Sequence, residues 1–188
     1  MKRLFILLAV CATALLTGCV TPTVVSNVTV FHTLTGAEAN KTYMVEATPE
    51  QANNLEFNSY VMMLNQELQH RGYVMVTKDP QYKVSLTFGT SQTVATSLEP
   101  VPLYGPYGFR HGPYPAWQTA VDTLFMHQLE VTISQASDGK NVYMVRARLQ
   151  STSPEMSQSM DYLMESAFQT YPGKNGATEP VILPVHAQ

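Results

Sequence analysis

The sequence predicts an α+β fold: a two-layer sandwich in which a mostly antiparallel sheet of about six strands carries two helices packed on one face. Three observations lead there. Six stretches rich in Val, Thr, Tyr and Phe have strand character, two others place their apolar residues on one helical face, and the elements run β-β-α-β-β, a loop, then β-β-α. A helix with one apolar face needs one surface to cover, and a sheet supplies it.

Residues 24–172 hold this single domain. Val24, Val25, Val28, Val30 and Phe31 make Thr23–Leu34 the first strand, buried because its apolar residues do not alternate cleanly. A polar turn leads to a short strand, Thr42–Ala47. Thr48-Pro49-Glu50-Gln51 then starts a helix, with Thr48 as cap, Pro49 in the first position and Gln51 placed to close a capping box. Phe57, Val61, Leu64 and Leu68 share one face of it, and Gly72 ends it after His70 and Arg71, where a histidine complements the helix dipole.

Tyr73–Thr77 is the next strand, and Tyr82, Val84, Leu86 and Phe88 alternate with Lys83, Ser85, Thr87 and Gly89, which buries one face only. Phe125, His127, Leu129, Val131 and Ile133 form a second alternating strand. It turns at Asp138-Gly139 into Asn141–Gln150, where Arg146 and Arg148 share the outward, solvated phase. Ser153-Pro154 opens the second helix, with Met156, Met160, Leu163, Ala167 and Tyr171 on one side, and Pro172-Gly173 closes it. Residues 173–188 read as an extended tail, with an edge strand at Val181–Leu183.

The amino end has a different character. Lys2 and Arg3 precede the 13-residue apolar run Leu4–Leu16, shorter than the roughly 20 residues a spanning helix needs. Leu16-Thr17-Gly18-Cys19 closes that run and resembles the lipobox at which bacterial lipoprotein precursors are acylated and cut. The resemblance implies a signal peptide over 1–18, a mature chain that begins at Cys19 with acyl chains on it, and a lipid bilayer as first partner. Val20, where an Asp retains such proteins in the inner membrane, implies the periplasmic face of the outer membrane. Residues 19–23 then form a tether of only about 15–20 Å.

Composition excludes several classes of function. Without Lys2 and Arg3, nine basic residues face 14 acidic ones, a balance of −5, which argues against a nucleic-acid groove. Cys11 leaves with the signal and lipid takes Cys19, so no disulfide or thiolate metal site is expected. The fold must stand on its apolar core.

Leu68-Gln69-His70-Arg71-Gly72-Tyr73, followed by a polar turn and the strand Tyr82-Lys83-Val84-Ser85-Leu86, resembles the helix-Gly-Tyr-strand core of the bacterial lipoproteins grouped as domain-of-unknown-function family 4136. The hairpin at Asp138-Gly139-Lys140 and the close Phe168-Gln169-Thr170-Tyr171-Pro172 are similar to that family's second half, with Tyr143 and Tyr171 standing where it tends to have Trp and Phe. The likeness implies fold and envelope location and supplies no activity, because the family has none established.

Residues 99–117 are the candidate binding loop, with Tyr104, Tyr107, Phe109, Tyr114 and Trp117 on a Pro/Gly frame beside Arg110 and His111. Rings on such a frame suit a glycan, a proline-rich protein or a membrane interface. His127 and His111 are the candidate bases of a hydrolase, and Met156, Met160 and Met164 form a stripe that Cu(I) could use. Both have plainer readings, a hydrogen-bonded core histidine and adaptable core packing. No serine-hydrolase, zinc-protease or paired-carboxylate pattern occurs, so a non-catalytic envelope module without metal or cofactor is expected, acting through a protein or glycan partner.

Overall fold

A computed structural model describes residues 22–34, 41–103 and 114–185. Seven strands and three helices follow in the order β1 (Thr23–His32), β2 (Thr42–Glu46), α1 (Pro49–Ala52), α2 (Leu55–His70), β3 (Val74–Met75), β4 (Tyr82–Leu103), β5 (Tyr114–Gln135), β6 (Asn141–Ser151), α3 (Ser157–Phe168) and β7 (Thr178–Pro184). The strands lie in one sheet, ordered β3-β2-β4-β5-β6-β1-β7.

This corrects the expected fold class in three respects: the sheet has seven strands, it is mixed, and three helices accompany it. β2 runs parallel to both β3 and β4, while the other pairs are antiparallel. The reason is topological. A helical crossover returns the chain in its original direction, so α1 and α2, lying between β2 and β3, make that pair parallel. The extra strand is β7, which hydrogen-bonds along β1 from Thr23↔Pro184 to Thr29↔Thr178 and extends the edge strand expected at Val181–Leu183.

The helix starting at Thr48 is two helices. Thr48 accepts from the Gln51 amide at 3.3 Å, and Gln51 Oε1 accepts from the Thr48 amide at 2.9 Å, so the capping box forms. It caps a single turn, because Asn54 restarts the chain as a new cap, its Oδ1 accepting from the amides of Glu56 and Phe57 at 2.8 and 3.1 Å. Gly72, at φ 80°, ends α2 as expected, and the Tyr73 amide folds back on the Leu68 carbonyl at 3.0 Å.

The core lies between one sheet face and the two longer helices. Phe57, Tyr60, Leu64 and Leu68 from α2 and Met160, Leu163, Met164 and Phe168 from α3 pack against Val84, Leu86, Leu129, Val131, Val145 and Val28, all buried. Below α2 and α3 lies an aromatic group formed by the residues of the family-like motif. Tyr73 meets Tyr43, Tyr82 and Tyr171 edge-on at 6.1–6.4 Å, and Tyr171 lies 5.0 Å from Tyr143. Arg71 lays its guanidinium over Phe168 and Tyr171, 5.0 and 5.7 Å from their centroids, while donating to Glu67 at 2.6 Å and to the Phe168 carbonyl. One cation thus ties the carboxyl ends of α2 and α3 together.

The expected irregular stretch 99–117 is strand at both ends. β4 and β5 stay in register from Tyr82↔Gln135 to Leu103↔Tyr114, whereas β6 accompanies β5 only as far as Phe125↔Ser151. Beyond that rung, Thr93–Leu103 and Tyr114–Leu124 form a two-stranded ribbon of 11 residue pairs that stands off the sheet by about 35 Å. Proline and glycine density around residues 100–115 conceals this pairing in the sequence, because prolines fit a strand at an open edge.

Candidate functional site

His127 is buried at the root of the ribbon, 0% exposed. Its Nε2 lies 3.0 Å from the Ser153 carbonyl, an acceptor only, so that nitrogen carries the proton. Nδ1 then accepts from the Thr90 hydroxyl at 2.8 Å. With both ring nitrogens engaged and no solvent access, His127 pins the start of α3's loop to β4. Its burial leaves no room for a substrate beside the ring. His70 is exposed in the last turn of α2, and His32 lies beside Tyr143 with Nε2 3.2 Å from the Gly173 carbonyl.

The methionine stripe faces inward. Met156, Met160 and Met164 are 8%, 0% and 2% exposed within the core, filling space between α3 and the sheet. Among the described residues no group of three or more His, Cys, Asp or Glu side chains converges to hold a metal ion. Arg146 donates to Glu130 at 2.6 and 2.8 Å and Arg148 to Gln128 at 2.9 Å, knitting the open sheet face together. A hollow of about 610 Å³ beside β2 is lined by Met44, Glu46, Thr48, Gln51, Ser85 and Thr87 and holds no histidine, cysteine or arginine.

Cys19 lies outside the described residues, as do Tyr104, Tyr107, Phe109, Arg110 and His111 of the candidate loop. Tyr114 and Trp117 are strand residues of β5. Trp117 stands on the ribbon opposite Pro100, 67% exposed, on a face that the sequence reading missed. Directly paired residues of antiparallel strands share a face, so Val94, Thr96, Leu98 and Pro100 lie on the same side as Thr123, Val121, Thr119 and Trp117. This side continues the core-facing phase of Val84, Leu86 and Phe88, past the point where the helices cover it.

The opposite side carries Ala95, Ser97, Glu99, Asp122, Ala120 and Gln118 along its middle, with Thr93 and Leu124 at the root and Val101 further out. Val94, Leu98 and Val121 are 60%, 67% and 64% exposed. From Val94↔Thr123 to Pro100↔Trp117 the ribbon is thus amphipathic across its thickness, with the carboxylates Glu99 and Asp122 on one face and Val94, Leu98, Trp117 and Val121 on the other. The signal that finds it is a faint period of two that continues past Gly89 in β4 and precedes Phe125 in β5.

Fold and surface together define a helix-covered mixed sheet with an exposed amphipathic hairpin arm. Of its buried polar side chains, Ser26 donates to the Ser166 hydroxyl at 2.5 Å and His127 is held by Thr90 and the Ser153 carbonyl. Residues 27–173 match the family described as Domain of unknown function (DUF4136), and the chain belongs to that family. No curated protein matches the sequence. Among solved structures the fold is similar to a PDZ domain protein from Parabacteroides distasonis, with a TM-score of 0.53 at 15% identity over 91% of this chain. The chain spans 41% of that protein's length. Two structures of the PelC dodecamer from Paraburkholderia phytofirmans align with TM-scores of 0.41 and 0.39 at 13% and 14% identity, over 74% of this chain and 91% and 94% of theirs.

Proposed function

We propose that this chain is a lipid-anchored envelope protein, acylated at Cys19 and held at the periplasmic face of the outer membrane, where it works as a non-catalytic binding or envelope-maintenance module. The observation that carries the binding reading is the ribbon: a long arm, uncovered on both faces, that adds nothing to the core and displays Trp117, Leu98, Val94 and Val121. Support for a non-catalytic role comes from His127, which is 0% exposed and whose bonds to Thr90 and Ser153 tie strand to loop away from solvent. Support for an anchor comes from the lipobox-like Leu16–Cys19 and from the position of Thr23, four residues on, where the sheet already begins. Among the described residues no helix is long and apolar enough to cross a membrane.

Metabolic labelling with palmitate tests the anchor. The wild-type chain takes up label and fractionates with outer membrane, and Cys19→Ser loses both. Label in Cys19→Ser, or an unmodified wild-type amino end by mass spectrometry, refutes it. Crosslinking in intact cells, with and without residues 93–124, tests whether the ribbon is what the module binds with.

A further inference from the structure

The ribbon leaves the sheet at the end where the chain enters it. Ser26, Leu149, His127 and Thr90 form one row across β1, β6, β5 and β4. From that row β1 runs back three residues to Thr23 and β6 runs on two to Ser151, while β4 and β5 continue in the same direction to Leu103 and Tyr114. The segment leading to Cys19 and the ribbon therefore emerge on one side of the domain. Val25 and Ile182, paired across β1 and β7, and Val185 are exposed there too.

Two lengths then compete. The inference rests on the anchored reading: with Cys19 acylated, only Val20, Thr21 and Pro22 separate it from Thr23, and the tether 19–23 reaches about 15–20 Å. The ribbon extends about 35 Å from the same end of the sheet. An arm about twice the length of the tether meets the bilayer wherever it points towards it, and its side chains decide how. From Val94↔Thr123 to Pro100↔Trp117 one face offers Val94, Leu98, Val121 and Trp117 with threonines between them and the other holds the two carboxylates, with Val101 and Leu124 joining that second face only at the ends of the ribbon. No Lys or Arg lies in either strand of the ribbon, so attraction to anionic headgroups is not what holds it.

We propose that this apolar face lies in the headgroup–acyl boundary of the leaflet that holds Cys19, with Glu99 and Asp122 turned to water. The boundary, rather than the hydrocarbon centre, suits a ribbon with two open edges. Backbone N–H and C=O groups there keep water as a partner, whereas hydrocarbon satisfies none of them. Trp117 suits the same depth, its ring in contact with acyl chains and its N–H with headgroups.

Trp117 is the sole tryptophan of the chain, so its fluorescence reports this face without a label. The acylated full-length protein is reconstituted into phosphatidylethanolamine–phosphatidylglycerol vesicles, with or without brominated phosphatidylcholine, and titrated with iodide. The expected result is about twofold quenching by the brominated acyl chains and little by iodide, as for an indole at the interface. The double variant Leu98→Ser/Val121→Ser changes only exposed positions, and with circular dichroism unchanged it should lose the brominated-lipid quenching and become sensitive to iodide. Trp117 quenched by iodide and indifferent to brominated lipid overturns the proposal. So does Trp117 shielded from both, which would place a protein surface over it. The mass of the amino-terminal peptide is read in the same samples. An acylated chain with Trp117 in water removes the ribbon proposal alone, and an unmodified Cys19 removes the anchor and the proposal together.

Discussion

At the scale of single residues, buried polar groups show the clearest consequences. His127→Ala strands the Thr90 hydroxyl and the Ser153 carbonyl in a dry site, and should cost about 2–3 kcal/mol in urea unfolding. A hydrolase base would instead lose activity with stability unchanged. Tyr143 presents the opposite case: its hydroxyl is buried without a partner among the described residues, so Tyr143→Phe should be neutral or stabilise by up to about 1 kcal/mol. Burial also pushes the Tyr143 phenol well above its ordinary range. Burial, followed by the hydrogen bond to Glu56, does the same for Tyr60. The folded chain holds these protons more tightly than the unfolded one, so the stability they contribute is fully present below about pH 10 and is lost as pH rises above it. Each such tyrosine should steepen the decline by about 1.4 kcal/mol per pH unit. Alkaline denaturation of Tyr143→Phe should be shallower by one tyrosine's share.

At the scale of elements, the ribbon and the body are separable. Excising Thr93–Leu124 and joining Gln92 to Phe125 through Asn-Gly removes no core residue, and should leave cooperative thermal unfolding within about 1 kcal/mol of the intact chain. If the body melted, the arm would be part of its foundation. α2 depends on its own cap, so Asn54→Ala should cost about 1 kcal/mol, with Thr48→Ala costing less because it caps one turn only. The sequence disclosed these helices unevenly. Thr48-Pro49 announced a start that is real, yet Asn53-Asn54 also carry cap chemistry, and nothing local says which cap begins the long helix. β2, β4, β5 and β6 were legible because one side of each is buried, and alternation records that. The parallel pairing of β2 was not, since register is a property of two distant segments. The ribbon was hidden for a related reason: uncovered on both faces, it carries only a faint alternation, and Pro100, Pro102 and Pro115 suggest a loop. Part of the site, Trp117, was visible as an exposed ring, whereas its companions Val94, Leu98 and Val121 acquire meaning only from the register.

At the scale of the whole molecule, charge and chain order set the behaviour. With nine basic residues against 14 acidic in the chain from Cys19 onward, the proposed membrane contact is apolar, and brominated-lipid quenching of Trp117 should be unchanged between low and high salt and across phosphatidylglycerol content. A strong salt dependence would point to an electrostatic contact instead. The position of β1 has a consequence for assembly. This earliest strand pairs only with β6 and β7, more than a hundred residues later, and has no neighbour close in sequence. Until Pro184 has emerged, one flank of β1 has nothing to bond, and the nascent polypeptide keeps its first strand loose. A chain built this way stays threadable through a narrow channel for as long as it is incomplete, and locks into shape only when its last strand zips against its first.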